Sequence, residues 1–235
     1  MWLWGQKKKA VVSISLSPQH ISCCLAQQND QDTKKITISA YERKNFKSLE
    51  FEKSIVFNPT TISRHIKQFI KKNKVEKPIA SLSISGPNIF EKIVTLSKST
   101  PQKTDFSFPE LQNTSWNHTY LCPSIKSGFH FYIHSIPKEI LFQYKLLAIQ
   151  SGIQLRTVTT ETNACLQLYK YIKDKNFTQN QFAIDLSENH FDIQSICTTN
   201  LLKEKIVLQK NLKIKLKNEL PFVPINAGLF LVEEK

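Results

Sequence analysis

The stretch Val11-Val12-Ser13-Ile14-Ser15-Leu16-Ser17-Pro18-Gln19-His20-Ile21-Ser22-Cys23-Cys24-Leu25-Ala26-Gln27 decides the fold. Val11 to Leu16 and Ile21 to Gln27 are short, apolar and β-prone, which reads as two strands, and Ser17-Pro18 between them supplies turn chemistry. Ile36 to Arg43 follows as a third strand, with Ile36, Ile38 and Ala40 alternating against Thr37, Ser39 and Tyr41. Asn29 to Lys35 makes the polar turn that joins it. A chain that opens on three such strands and then turns helical points to a mixed sheet flanked by helices.

The helix signal begins at Asn58-Pro59, where Asn suits the N-cap and Pro the first helical position. Ile62, Ile66, Phe69 and Ile70 then recur on one face, and Lys71, Lys72 and Lys74 gather at the C-terminal end, where cations suit the helix dipole. Ile79 to Ile84 reads as a buried strand, ended by Ser85-Gly86-Pro87-Asn88, and Ile89 to Leu96 as another. Lys98 to Ser127 contains Pro101, Pro109 and Pro123 and many polar residues, so it is expected as a long loop or a small appended element. Phe129 to Ile136 is an aromatic-rich strand. Pro137 opens a helix with Ile140, Leu141, Tyr144, Leu147 and Ala148 inward, and Gly152 stands where a C-terminal cap belongs. Ile153 to Val158 is a strand and Asn163 to Ile172 a helix built on Leu168, Tyr169 and Ile172. Phe182 to Leu186 and Phe191 to Ile196 repeat the opening hairpin. Glu204 to Gln209 and Leu212 to Leu216 alternate at period two, and Ala227 to Val232 is the last apolar segment.

Composition narrows the chemistry. The chain has 235 residues with 32 Lys and Arg against 19 Asp and Glu, a net charge of +13. That balance suits an anionic membrane surface, an acidic partner or nucleic acid. The glycine count is only 5, whereas close backbone approach to phosphate usually draws on glycine. The five cysteines, Cys23, Cys24, Cys122, Cys165 and Cys197, form no CxxC pair and no zinc spacing, so reduced thiols in a cytosol and no metal are expected. No apolar run reaches transmembrane length. Trp2 and Trp4 beside Lys7, Lys8 and Lys9 read either as a membrane-interface contact or as a plain tail.

A hairpin with a phosphate-type turn, repeated once downstream, resembles the actin-like (ribonuclease H-like) fold. In detail the chain is similar to the type IV pilus assembly protein PilM family, as a short, degenerate HofM-like member. Gly5-Gln6-Lys7-Lys8-Lys9 before the Val11 strand carries the likeness. So do Thr60 to Lys72 followed by Ile79-Ala80-Ser81-Leu82-Ser83-Ile84-Ser85-Gly86, and Lys92 within Ile89 to Ile93. The path Pro137 to Leu168, the strand Phe182-Ala183-Ile184-Asp185-Leu186-Ser187 and the segment Asn226-Ala227-Gly228-Leu229-Phe230-Leu231 complete it. The resemblance implies a first domain over residues 1–180, an inserted subdomain at about 85–152, and a truncated second domain over 181–235 without a nucleotide subdomain.

It also implies a degenerate phosphate site. Ser15 stands for the family's acid and Ser17 for its glycine. Asp185 keeps the second acid, and Ser187 replaces the second glycine. Serine cannot supply the carboxylate that would hold Mg²⁺ or its water. No cofactor, no catalytic residue and no enzymatic activity are therefore expected. The partner implied is a PilN-like membrane protein with one transmembrane helix, whose cytoplasmic tail would lie against Ser85, Asn88, Phe90, Tyr132 and His134. Those residues also suit plain sheet core and turn. The expected location is the cytoplasm, peripheral to the inner membrane.

Two alternatives stay open: a residual actin-like ATP-binding protein, and a basic nucleic-acid-binding protein tied to DNA uptake. The second is disfavoured because Phe106, Phe108, Trp116 and Tyr120 lie among few arginines, unlike a stacking groove. His130 and His134 fall on one strand face with no carboxylate beside them in sequence. Nucleic-acid binding would weaken steeply with salt. A filter-binding titration against single- and double-stranded DNA is expected to show no such salt-dependent complex.

Overall fold

Strand β1 (Val11–Leu16) organises the architecture because it pairs on both sides, antiparallel with β2 (His20–Gln28) and parallel with β6 (Ile79–Ile84). The protein is described from a computed structural model, which defines residues 11–28, 36–46, 51–52, 55–56, 58–124, 127–172, 206–208 and 229. Outside them lie the Trp/Lys segment at the N-terminus, the turn Asn29–Lys35 and the strands expected at Phe182–Leu186, Phe191–Ile196 and Leu212–Leu216. Asp185, Ser187 and, apart from Leu229, the segment Ala227–Val232 lie outside as well.

β3 (Ile36–Asn45) runs antiparallel to β2, β10 (Gln154–Thr160) parallel to β6, and β11 (Ile206–Leu208) parallel to β3. The sheet order is β10-β6-β1-β2-β3-β11. A two-residue pair, β4 (Phe51–Glu52) with β5 (Ile55–Val56), precedes α1 (Pro59–Lys72). Between β6 and α2 (Lys138–Ser151) the chain builds a second, three-stranded antiparallel sheet of β7 (Phe90–Leu96), β9 (Phe129–Pro137) and β8 (Thr114–Pro123), in that order. After β10 the chain enters α3 (Glu161–Ile172).

Local chemistry explains the helix ends. The Asn58 side chain accepts a 3.1 Å bond from the Thr61 backbone N–H, with Pro59 in the first turn. Gly152 closes α2 at φ +70°, and the N–H of Ile153 returns to the Ala148 carbonyl at 3.1 Å. Gly128, at φ +83°, admits no side chain, since a Cβ there would sit 2.4 Å from the Leu96 carbonyl oxygen.

α1 and α2 cover one face of the large sheet. Val12, Ile14, Leu16, Leu82 and Ile84 meet Ile62, Ile66, Phe69, Tyr144 and Leu147 in one core. The other face is made of small hydroxyl and thiol side chains in register. Cys24, Ser13, Ser81 and Thr157 form one row, and Ser22, Ser15, Ser83 and Thr159 the next. Ser13, Ser15, Ser22, Ser81 and Ser83 have no exposed surface at all, so this face is interior too, as parallel strands between two layers require. Cys23, Cys24 and Cys165 are buried and form no disulfide, and burial pushes the thiols of Cys23 and Cys24 well above their ordinary range. They pack as small apolar groups.

The region Lys98 to Ser127 takes the second of its two expected forms, a small appended element. It contains a full ten-residue strand, β8, rather than loop alone, and that strand pairs along its length with β9. Short helical turns at 103–105 and 109–111 carry Phe106 and Leu111 into a second core with Phe131 and Ile133.

Among the described residues the hydroxyls of Ser81 and Ser83 have no hydrogen-bond partner. A buried hydroxyl without a partner costs about 1–3 kcal/mol. Ser81→Ala is therefore expected to hold or raise stability by up to about 1 kcal/mol in urea denaturation. A loss of similar size would mean that the hydroxyl is paired.

Candidate functional site

Strands β1, β6 and β10 run parallel, so their carboxyl ends meet at one edge of the sheet, where α/β folds place their sites. The phosphate-type turn lies there. Ser17 is spent on the turn itself: its hydroxyl accepts from the backbone N–H of His20 at 3.3 Å and lies 2.8 Å from the His20 Nδ1. The Ser17 N–H closes the hairpin on the His20 carbonyl at 3.0 Å. Burial first, and Arg43 second, lower the His20 pKa to about 4, so its ring stays neutral at physiological pH.

Ser15 engages a different partner, donating a 2.6 Å bond to the Glu161 Oε1. Ser85, at the end of β6, bonds the same carboxylate. Glu161 is the first residue of α3, and the Thr160 hydroxyl before it accepts from the Asn163 N–H at 3.2 Å, as an N-cap does. Glu161 is partly exposed as a residue, yet its carboxylate is enclosed. Burial pushes its pKa up, the Ser15 and Ser85 hydrogen bonds oppose this, and the charge of Glu91 adds to the rise.

A second carboxylate ties the inserted sheet to this junction. The Tyr132 hydroxyl donates to Glu91 at 2.5 Å and lies 2.8 Å from the Thr160 hydroxyl, and Thr162 donates to the other Glu91 oxygen at 3.0 Å. Burial, then the Glu91 charge, pushes the Tyr132 phenol well above its ordinary range, which keeps it a donor. His134 stacks on Tyr132 at 5.5 Å.

Next to this lock lies a cavity of about 1110 Å³ between β8 on the inserted sheet and β10 with α3 on the main body. Trp116, Asn117, Thr119, His134, Thr157 and Asn163 line it, and its walls are mostly polar. Asn163 donates to Thr159 at 2.8 Å and receives a long 3.5 Å contact from Thr119. Lys170 reaches the Tyr120 carbonyl at 2.8 Å. Among the described residues β8 and β10 are both terminal strands of their sheets, so two strand edges border the cavity.

The residues singled out in the sequence thus separate. Ser15 and Ser85 meet at Glu161, Tyr132 belongs to the lock, and His134 lines the cavity. Asn88 is exposed on the β6–β7 turn, and Phe90 packs against Phe108 at 6.0 Å on the far side of the inserted sheet. Asp185 and Ser187 lie outside the described residues. Phe106 packs edge-on against Trp116 at 5.6 Å and Phe131 at 6.2 Å, so these rings engage each other. His130 bonds Thr95 at 2.9 Å. Sequence reasoning missed Glu161 and Glu91. Glu161 was placed outside the helix begun at Asn163, and the signal for it was Thr160 three positions before Asn163, an N-cap pattern without a capping-box acid.

No protein-family model and no curated protein matches this chain. Among solved structures it is similar to a chain of the PilM–PilN type IV pilus biogenesis complex, with a TM-score of 0.53 at 11% identity, over 68% of this chain and 50% of that one. It is also similar to the cytoplasmic domain of EpsL, an inner membrane component of the type II secretion system of Vibrio cholerae. That likeness has a TM-score of 0.42 at 8% identity, over 66% and 57% of the two chains. A Bacteroides thetaiotaomicron protein with an actin-like ATPase fold and unknown function gives 0.35 at 13% identity, over 72% and 59%. The chain spans half the length of the PilM–PilN chain it resembles. The fold is actin-like.

Glu161→Gln keeps an acceptor for Ser15 while removing the charge. Because the folded carboxylate has a raised pKa, the native state binds its proton more tightly than the unfolded chain does. Wild-type stability is thus complete below the ordinary carboxylate range and declines as pH rises through the folded pKa. The variant is expected to melt about 2–4 °C higher at neutral pH, the scale of about 1 kcal/mol in a chain of this size. The gap should close at acid pH in thermal melts. An unchanged gap across pH would contradict the assignment.

Proposed function

We propose that this chain is a non-catalytic scaffold of a type IV pilus or related inner-membrane assembly machine, and that it holds the short cytoplasmic tail of a PilN-like partner in the groove between β8 and β10. The observation that carries the reading is the pair of strand edges on that groove. An extended tail meets unused backbone donors and acceptors at a strand edge, and side pockets then choose among sequences. Trp116 and Ile136 offer apolar contact, and Asn117, Thr119 and Gln167 offer hydrogen bonds. The likeness to a chain of the PilM–PilN complex suggests the identity of the tail, through the fold alone.

The junction of β1, β6 and α3 supports the non-catalytic half of the reading. Phosphate binding there uses backbone N–H groups at a glycine turn and a helix N-terminus. Here Ser17 is committed to its hairpin, and the Glu161 carboxylate accepts the hydroxyls that face the site. A fixed carboxylate repels phosphate and takes the donors that would hold it. Among the described residues no group of three or more His, Cys, Asp or Glu side chains is placed to hold a metal ion. No helix among them is long and apolar enough to cross a membrane. The reading places the chain at the cytoplasmic face of the inner membrane, recruited by its partner.

Calorimetric titration with a synthetic PilN-like tail peptide is expected to give saturable binding that MgATP leaves unchanged. Asn117→Trp, which fills the groove, should weaken that binding by at least about tenfold, or about 1.4 kcal/mol. Clear MgATP affinity with no peptide binding would overturn the proposal.

A further inference from the structure

The outer face of the α1–α2 layer combines two features that no part of the groove uses. α2 is apolar on its solvent side as well as its inner side. Phe142 is 61% exposed, Leu146 49% and Ile149 74%. They are spaced by four and three residues, so they form one stripe along the helix. Exposed hydrophobics scattered singly need no explanation, but three in a row on one helix face do.

Cations surround the stripe. Lys138 and Lys145 are exposed on α2 itself, and α1 beside it presents Arg64, Lys67 and Lys71 outward at the same three- and four-residue spacing. α1 contains no acidic residue, and Glu139 is the single acid on α2. None of those five cations makes an ion pair with another described residue. The two helices pack on the same face of the large sheet, so basic and apolar rows lie side by side on one surface.

The geometry points to the α1–α2 face as a docking surface for an anionic lipid bilayer, with Phe142, Leu146 and Ile149 entering the headgroup boundary and Arg64, Lys67, Lys71, Lys138 and Lys145 meeting lipid phosphates. Charge complementarity selects the occupant. A second copy of this chain docked through the same face would set five cations against five, and like charges in an interface repel. An anionic bilayer accepts both rows at once: apolar side chains gain burial and the cations gain the negative surface potential. α2 is far shorter than a membrane span, so it lies on the surface. The proposal does not rest on the peptide reading. The groove is lined by residues 99–101, β8, β9, β10 and α3, and none of its residues belongs to the α1–α2 face.

Co-sedimentation of the full chain with phosphatidylcholine vesicles, and with vesicles containing phosphatidylglycerol, tests the proposal. Binding is expected only with the anionic vesicles and should fall steeply with added salt. The triple variant Phe142→Ser, Leu146→Ser, Ile149→Ser and, separately, Lys145→Glu with Lys67→Glu should each lower partitioning by about tenfold while melting no lower than wild type. Three outcomes would overturn the proposal: equal binding to neutral vesicles, no binding to either, or concentration-dependent dimers by light scattering that the triple variant abolishes. The last would assign the face to a second copy.

Discussion

The Glu161 carboxylate joins the three elements on which the rest of the structure depends. It sits at the start of α3 and takes hydroxyl bonds from the ends of β1 and β6. That arrangement fixes where α3 leaves the sheet. It thereby fixes Asn163, whose bonds to Thr159 and Thr119 join the main sheet to the inserted one. Glu91 does the same from the other side through Tyr132 and Thr162. The groove between the sheets is thus framed by two carboxylates, each held by hydroxyl groups.

The cost of that frame is electrostatic. Enclosing the Glu161 carboxylate raises its pKa, and the charge of Glu91 raises it further, so donors must hold it in place. The sequence provides donors for the two carboxylates as the small side chains Ser15, Ser85 and Thr162 and the Tyr132 phenol. The same smallness recurs across the inner sheet face, where Ser13, Ser15, Ser22, Ser81 and Ser83 are wholly buried. Small residues let a second layer approach closely, at the expense of the hydroxyls of Ser81 and Ser83, which find no partner among the described residues.

The opening hairpin, the Asn58 cap, the parallel strand at Ile79–Ile84 and the Gly152 cap were legible because each rests on local rules. Alternating or continuous apolar runs, a side-chain cap and a left-handed glycine need no distant partner. β8 was not legible. Asn117 and His118 interrupt its β-prone residues, and its pairing with β9 depends on a neighbour beyond a turn. Glu161 was hidden for a related reason. Its significance arises from Ser15, 146 positions earlier in the chain, and no local pattern announces that bond. Ser15 and Ser17 were read together as a phosphate turn that had lost its chemistry. The structure assigns them different tasks: one holds the Glu161 carboxylate and the other closes a hairpin.

Hydrogen–deuterium exchange with and without a PilN-like tail peptide tests the central claim most directly, since it reads the backbone groups the peptide would engage. The account predicts slowed exchange in both Thr114–Pro123 and Gln154–Thr160, with no change on adding MgATP. Protection by MgATP at Ser15 to His20 and around Ser85, with β8 and β10 unaffected by peptide, would contradict it.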